Sequence, residues 1–288
     1  MSLTQHEQHK SRGPRVIAVS SGKGGVGKTF LSVHLAARAA EKGLRPLLLD
    51  ANLGLANVDV MLGVTPQATI NDVIQGSAKM ESIIASTRHG FDVVPGGCGL
   101  SELTVLDANH QRLVLDELET LADHYDLVLI DTAAGIGENV LYFTSSSQSV
   151  LLTLAAEPTS LTNTYALIKV LSRERHVRRF MVAINQADRE EAEFAFHRLQ
   201  SVCDHYLHVY LDYVGHIPSS PDIGRCIQGQ RLLFERNEND PAIADLTSLV
   251  DTVLDRPVTL DGNGNLQFFW QHNLSAALPV GTQAGAGV

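Results

Sequence analysis

The run Gly22-Lys23-Gly24-Gly25-Val26-Gly27-Lys28-Thr29 has the spacing G-x-x-x-x-G-K-[ST], and that pattern of residue types is suited to holding phosphate. The glycines let successive backbone N–H groups turn inward around phosphate oxygens. The start of a following helix adds partial positive charge at the same place. In this pattern Lys28 reaches the β- and γ-phosphates of a nucleotide, and the Thr29 hydroxyl coordinates Mg²⁺. The alternative is a glycine turn in some unrelated α/β protein. The sequence on both sides argues against it, because the apolar run Val16-Ile17-Ala18-Val19 precedes the loop and the amphipathic segment Leu31 to Lys42 follows it.

Two carboxylates share this setting. Asp131 closes the apolar run Leu127-Val128-Leu129-Ile130 and is followed by Thr-Ala-Ala-Gly-Ile-Gly. A carboxylate so placed can hold a Mg²⁺-bound water, and Gly135 and Gly137 leave the next loop free to respond to a γ-phosphate. Asp50 closes an earlier run in the same manner and is a second candidate for the outer shell of the metal. Taken alone, an aspartate at a strand end is more often a turn residue than a ligand. Beside a phosphate loop the balance shifts toward the ligand.

The elements that must carry these residues recur regularly. Strand-like runs occupy Val16–Ser20, Leu44–Asp50, Phe91–Pro95, Leu127–Asp131, Val150–Ala155, Phe180–Asn185 and Tyr213–Pro218, with helical periodicity between them. One such helix is predicted from Asn109 to Tyr125, its Leu113, Leu115, Leu118 and Leu121 facing inward. Strands apolar on both faces alternating with helices predict a doubly wound, mostly parallel β-sheet flanked by helices, the P-loop NTPase fold. Ligands of such sheets bind beyond the carboxyl ends of the strands, where the loop, Asp50 and Asp131 all fall.

Composition bounds the remaining choices. The 288 residues are 44% hydrophobic, and 22 basic against 32 acidic side chains give a net charge of −10. That charge opposes nucleic-acid binding over a broad surface. A local exception is Lys169 to Arg179, where Lys169, Arg173, Arg175, Arg178 and Arg179 outnumber Glu174; it reads as a solvated helix end or as a docking patch for a partner. No run of about eighteen apolar residues occurs, residues 1–14 are polar, and Cys98, Cys203 and Cys226 show no paired spacing, so a cytoplasmic protein is expected. The 12 histidines show no metal-ligand spacing. The expected organisation is a disordered extension over 1–14, one ATPase domain over 15–256, and a tail over 257–288. The tail lacks Lys and Arg but carries Leu266, Phe269, Trp270, Leu274 and Leu278 at roughly helical spacing.

Lys-Gly-Gly-Val-Gly-Lys-Thr at 23–29, Leu-Leu-Asp-Ala-Asn-Leu-Gly-Leu-Ala-Asn-Val-Asp-Val at 48–60 and Val-Leu-Ile-Asp-Thr-Ala-Ala-Gly-Ile-Gly at 128–137 resemble the MinD/ParA class of deviant-Walker ATPases. Glu157-Pro158-Thr159-Ser160, Tyr165 to Lys169 and Tyr213 to Pro218 extend the likeness toward the flagellar-number regulators of the FlhG/FleN group, from about residue 15 to residue 270. The resemblance implies ATP/ADP and Mg²⁺ as ligands and a homodimer when ATP is bound, with Lys23 reaching across to the partner's nucleotide. Such a cation suits phosphoryl transfer. It further implies Asn185 and Pro218 at the adenine, and a flagellar transcription activator and flagellar assembly proteins as partners.

Departures from the family pattern carry their own expectations. Asn52 stands where the family's switch I has a second aspartate thought to orient the attacking water. An amide keeps the hydrogen-bonding reach but cannot accept a proton, so turnover is expected to be slow. Phe30 replaces a small polar residue and is expected to pack under the nucleotide. The tail lies where MinD-like relatives carry a membrane-targeting helix, yet it lacks the cations such helices use. It is read either as a weak membrane contact, at the inner membrane or the cell pole, or as a helix packed on the domain or a partner. The segment Leu3 to Glu7 does not match the motif by which FlhG proteins stimulate a flagellar GTPase. A spatial positioning ATPase and an ATP-loaded scaffold with little turnover stand as alternatives. A cluster-bearing reductase, suggested by Cys98, fails because no second cysteine follows the Asp131 segment at a matching place.

Overall fold

The structure, a computed structural model, describes residues 13–53, 55–97, 106–235 and 240–257. Its strands are β1 (Arg15–Ser21), β2 (Pro46–Ala51), β3 (Ala85–Ser86), β4 (Asp92–Val94), β5 (Leu127–Ala134), β6 (Ser149–Ala155), β7 (Arg179–Asn185) and β8 (Tyr210–Ile217). They form one eight-stranded sheet in the order β3-β4-β2-β5-β1-β6-β7-β8. Every pairing is parallel except that of β3 with β4. All the strands expected from the apolar runs are present. The short β3 edge was not foreseen, because two residues carry no periodic signal.

Helices return the chain between parallel strands: α1 (Lys28–Glu41), α2 (Val58–Leu62), α3 (Ile70–Ile74), α4 (Met80–Ile83), α5 (Ala108–Glu119), α6 (Glu138–Ser145), α7 (Pro158–Glu174), α8 (Arg189–Tyr206), α9 (Pro221–Gln228) and α10 (Pro241–Asp255). Side chains along β5 alternate between two cores. Leu127 and Leu129 meet α1 and α10 residues such as Leu35, Leu246 and Val250 on one face. Val128 and Ile130 meet Val114 and Leu118 of α5 on the other, where α7 and α8 cover the β6–β7 half through Leu167, Leu171 and Phe196. Burial on both faces is why the strands read as unbroken apolar runs.

Two helix readings need correction. The segment after the phosphate loop is not amphipathic in its setting: α1 is buried nearly all round, from Phe30 and Leu31 to Ala39, because α10 covers the side away from the sheet. Its cations reach the acids of that covering helix, Arg38 Nε to Asp251 Oδ1 at 2.9 Å and Lys42 Nζ to Asp251 Oδ1 at 3.1 Å. The helix expected to reach Tyr125 ends at Glu119, where Leu121 and His124 N–H groups close tighter turns onto Leu118 and Leu121 carbonyls. Val114, Leu115, Leu118 and Leu121 are buried, and Leu113 is only half-buried.

His34 locks α1 in place. Its Nε2 accepts from the Leu233 N–H at 2.9 Å, so Nδ1 carries the ring proton and donates to the Phe30 carbonyl at 2.7 Å. Full burial holds this imidazole neutral and pushes its pKa down to about 4.

Candidate nucleotide site

The phosphate loop spans the gap between the end of β1 and the start of α1, and its shape is enforced by close backbone packing. A Cβ on Gly22 would lie 2.2 Å from the Asn163 carbonyl carbon, so only glycine lets α7 approach this near. Gly27 has φ +92°, and a Cβ there would meet Asn185 Nδ2 at 2.1 Å. That same amide donates to the Val26 carbonyl at 2.9 Å, which fixes the crest of the loop from β7.

Lys28 is buried at the floor of the loop, its Nζ donating to Ser21 Oγ at 2.9 Å. Burial lowers its pKa, and the charge of Asp131 opposes that shift. The Ser21 hydroxyl in turn donates to the Lys23 carbonyl at 2.6 Å. Thr29 Oγ1 donates to Asp131 Oδ2 at 2.6 Å, and Ser32 Oγ lies 3.2 Å from the other carboxylate oxygen. Thr29, Asp131 and Lys28 therefore converge, as their spacing in the sequence predicted.

Asp50 and Asp131 occupy paired positions on β2 and β5. Both carboxyls are held above the ordinary carboxylate range, first by burial and, for Asp50, by its charged neighbour Asp131. Asp50 has a further task. Its oxygens accept from the backbone N–H groups of Asn52 at 3.1 Å, Asn57 at 2.8 Å and Val58 at 3.0 Å, tying the 52–58 segment to the sheet. Within that segment the Asn52 amide donates to the Leu55 carbonyl at 2.7 Å, where the Asn57 amide also donates, at 2.8 Å.

After Asp131 strand β5 continues to Ala134, pairing with Ser21 beyond an irregularity in β1. Gly135 then turns with φ +94° while its N–H donates to the Ser21 carbonyl at 2.9 Å. Gly137 caps α6 from extended backbone, and Ile136 between the two glycines is exposed.

Lys23 points away from the floor of the loop. Its ammonium pairs with Glu157 at the start of α7 and lies 3.3 Å from Thr159 Oγ1, and both ionic side chains are substantially exposed. The Lys23 hydrogen bond lowers the pKa of Glu157. Gly24 and Gly25 are open to solvent, Val26 is buried, and Pro218 directly follows β8. Phe30 does not lie under a ligand: its ring is buried in the core, 4.1 Å from that of His34. Cys98 and the 258–288 segment lie outside the described residues.

The sequence reading missed two residues. Ser21, which touches Lys28, Lys23 and Gly135, gives only the faint signal of a hydroxyl at the last strand position before the loop. Gln186 has φ +61° and places Nε2 3.5 Å from the Gly25 carbonyl, and its only sequence cue is its place after Asn185.

The donor set fits a nucleotide triphosphate with Mg²⁺: main-chain amides in a cradle too tight for side chains, one buried lysine, and a hydroxyl–carboxylate pair that can share a metal's inner and outer shells. Comparison with known proteins agrees. A family described as an AAA domain matches residues 14–182. The antiactivator FleN of Pseudomonas aeruginosa is 40% identical over 256 residues, covering 88% of this chain and 91% of that protein. The flagellum site-determining protein YlxH of Helicobacter pylori is 31% identical, covering 78% and 77% respectively. Among solved structures, the septum site-determining protein MinD of Pyrococcus horikoshii complexed with Mg-ADP is 26% identical with a TM-score of 0.69, covering 84% of this chain and 96% of that one.

Proposed function

The chain belongs to the MinD/ParA-type P-loop ATPases, alongside the flagellar FlhG/FleN group, and hydrolyses ATP with Mg²⁺; from that premise we propose that ATP loading draws two copies together into a switch that regulates flagellar number. Its partners in this reading are a flagellar transcription activator and flagellar assembly proteins. The observation that carries the dimer is Lys23, a second lysine in the loop whose ammonium lies at the surface on Glu157 and not among the inward-facing amides. A cation held there can serve a nucleotide on a facing copy.

Each residue has a role in this reading. The amides of residues 24–29 hold the phosphates, Lys28 sits against the β- and γ-oxygens, and Thr29 with Asp131 holds the metal. Bound Mg²⁺ neutralises charge on the transferred group. Asp50 fixes the 52–58 segment, and Gly135 and Gly137 bracket the segment that senses the γ-phosphate. Among the described residues no helix is long and apolar enough to cross a membrane, so any membrane contact would be peripheral and would fall to the tail.

Size-exclusion chromatography with light scattering in ATP, ADP and no nucleotide tests the switch. A dimer in ATP alone, absent from Lys28→Ala, is the expected result. A monomer under all three conditions overturns it.

A second reading, an ATP-loaded scaffold with little turnover, is favoured by the Asn52 amide, which is engaged by the Leu55 carbonyl at 2.7 Å. Asn52→Asp is then expected to raise steady-state phosphate release by at least about tenfold. Equal turnover by both proteins removes this reading.

A further inference from the structure

The rim of the site on the β7 side contains one polar side chain with unused hydrogen-bonding capacity. Asn185 is fully engaged: its amide donates to Val26 O at 2.9 Å and its Oδ1 accepts from the Gln186 N–H at 2.9 Å. The Ala187 N–H donates to the Ile217 carbonyl at 3.3 Å, which joins this rim to Pro218, a residue with no N–H of its own. Asp188 caps α8 by accepting from the Glu191 N–H at 2.9 Å. Gln186 alone is exposed. Among the described residues its amide makes a single contact, Nε2 to the Gly25 carbonyl at the 3.5 Å limit of a hydrogen bond, and its Oε1 has none.

Its backbone is also unusual. A φ of +61° is costly for a non-glycine residue, and the Asn185 Oδ1 bond to its N–H helps to hold it there. This twist turns the side chain back over the phosphate loop rather than along α8, as the Gly25 contact records.

Given that the loop is an adenine-nucleotide site, we infer that Gln186 is the residue that reads the base. A carboxamide is matched to adenine, donating through Nε2 to N7 and accepting through Oε1 from the N6 amine. The Asn185 amide supports the loop, and Pro218 offers the purine an apolar surface. Gln186 leaves Gly25 for the base when nucleotide arrives.

Competition binding against a fluorescent ATP derivative tests the assignment, with ATP, 7-deaza-ATP (no N7) and purine riboside triphosphate (no N6 amine), each with Mg²⁺. The wild-type protein is expected to favour ATP over each analogue by about tenfold. Gln186→Gly, which suits a positive φ and so keeps the backbone, and Gln186→Leu, which keeps the bulk, are both expected to bind the three nucleotides within about twofold of one another. Undiminished preference for ATP in Gln186→Gly overturns the assignment, as does a wild-type protein that does not discriminate. Failure of the wild-type protein to bind ATP at all strikes the nucleotide reading itself.

Discussion

Asp50 and Asp131 are register partners on adjacent parallel strands, so two buried carboxylates stand side by side at the root of the phosphate loop. Neither can lose its proton as readily as a solvated aspartate. Both pKa values are raised, so the folded protein binds more protons than the unfolded chain over the range from ordinary carboxylate values upward. Their contribution to stability is complete below the unfolded pKa and is lost as pH rises through the folded values. Asp131→Asn removes one member while its carbonyl oxygen can still accept from Thr29. The variant is expected to be more stable than the wild type at pH 8 by roughly 2 kcal/mol when nucleotide-free, with the gap closing toward pH 4. Urea unfolding at both pH values checks this, and a gap that ignores pH refutes it. The same variant is expected to lose the Mg²⁺ dependence of ATP binding.

His34 gives the opposite slope. Its folded pKa of about 4 lies below the ordinary histidine value of 6.5, so its contribution is present above pH 6.5 and is lost as pH falls toward 4. The loss amounts to about 3 kcal/mol. His34→Gln can keep one of its two hydrogen bonds without titrating and is expected to flatten the acid limb of a stability profile between pH 7 and pH 4. An unchanged limb would show that other groups set it.

Gly22 and Gly24 separate packing from motif membership. A methyl group at Gly22 meets the backbone of α7, whereas one at Gly24 meets nothing within 4 Å. Gly22→Ala is expected to cost about 3 kcal/mol or more, and Gly24→Ala less than about 1 kcal/mol. Thermal unfolding without nucleotide reads the difference; equal losses would mean that α7 yields easily.

The Lys23–Glu157 pair competes with any use of Lys23 on a facing copy. The pair is exposed, so its hold is weak. Glu157→Gln is expected to shift ATP-dependent dimerisation to a severalfold lower protein concentration, and Lys23→Ala to abolish it without loss of ATP binding. Sedimentation in Mg-ATP decides; a Glu157→Gln protein that dimerises no better excludes the pair as a restraint.

Much of the site was legible because its residues sit at strand ends, where burial writes an unbroken apolar run and a polar residue interrupts it. Asp131, Asp50 and the loop stood out in this way, and so did Asn185, although its amide proved to brace Val26. Contacts made across the sheet were not legible. Nothing in the local sequence says that α10 would cover α1, which is why α1 read as half-exposed and Phe30 was assigned to the ligand. Gln186 was equally hidden, since a backbone twist held by its neighbour's side chain leaves no periodic trace.

Ser21 lets a chemical event at one loop be felt at another. Through its hydroxyl and carbonyl this residue joins the buried lysine, the backbone of the exposed lysine and the first turn after β5. Loss of the terminal phosphate therefore need not travel through the body of the protein to reach the region that responds, because grip and sensor hang from one hinge pin.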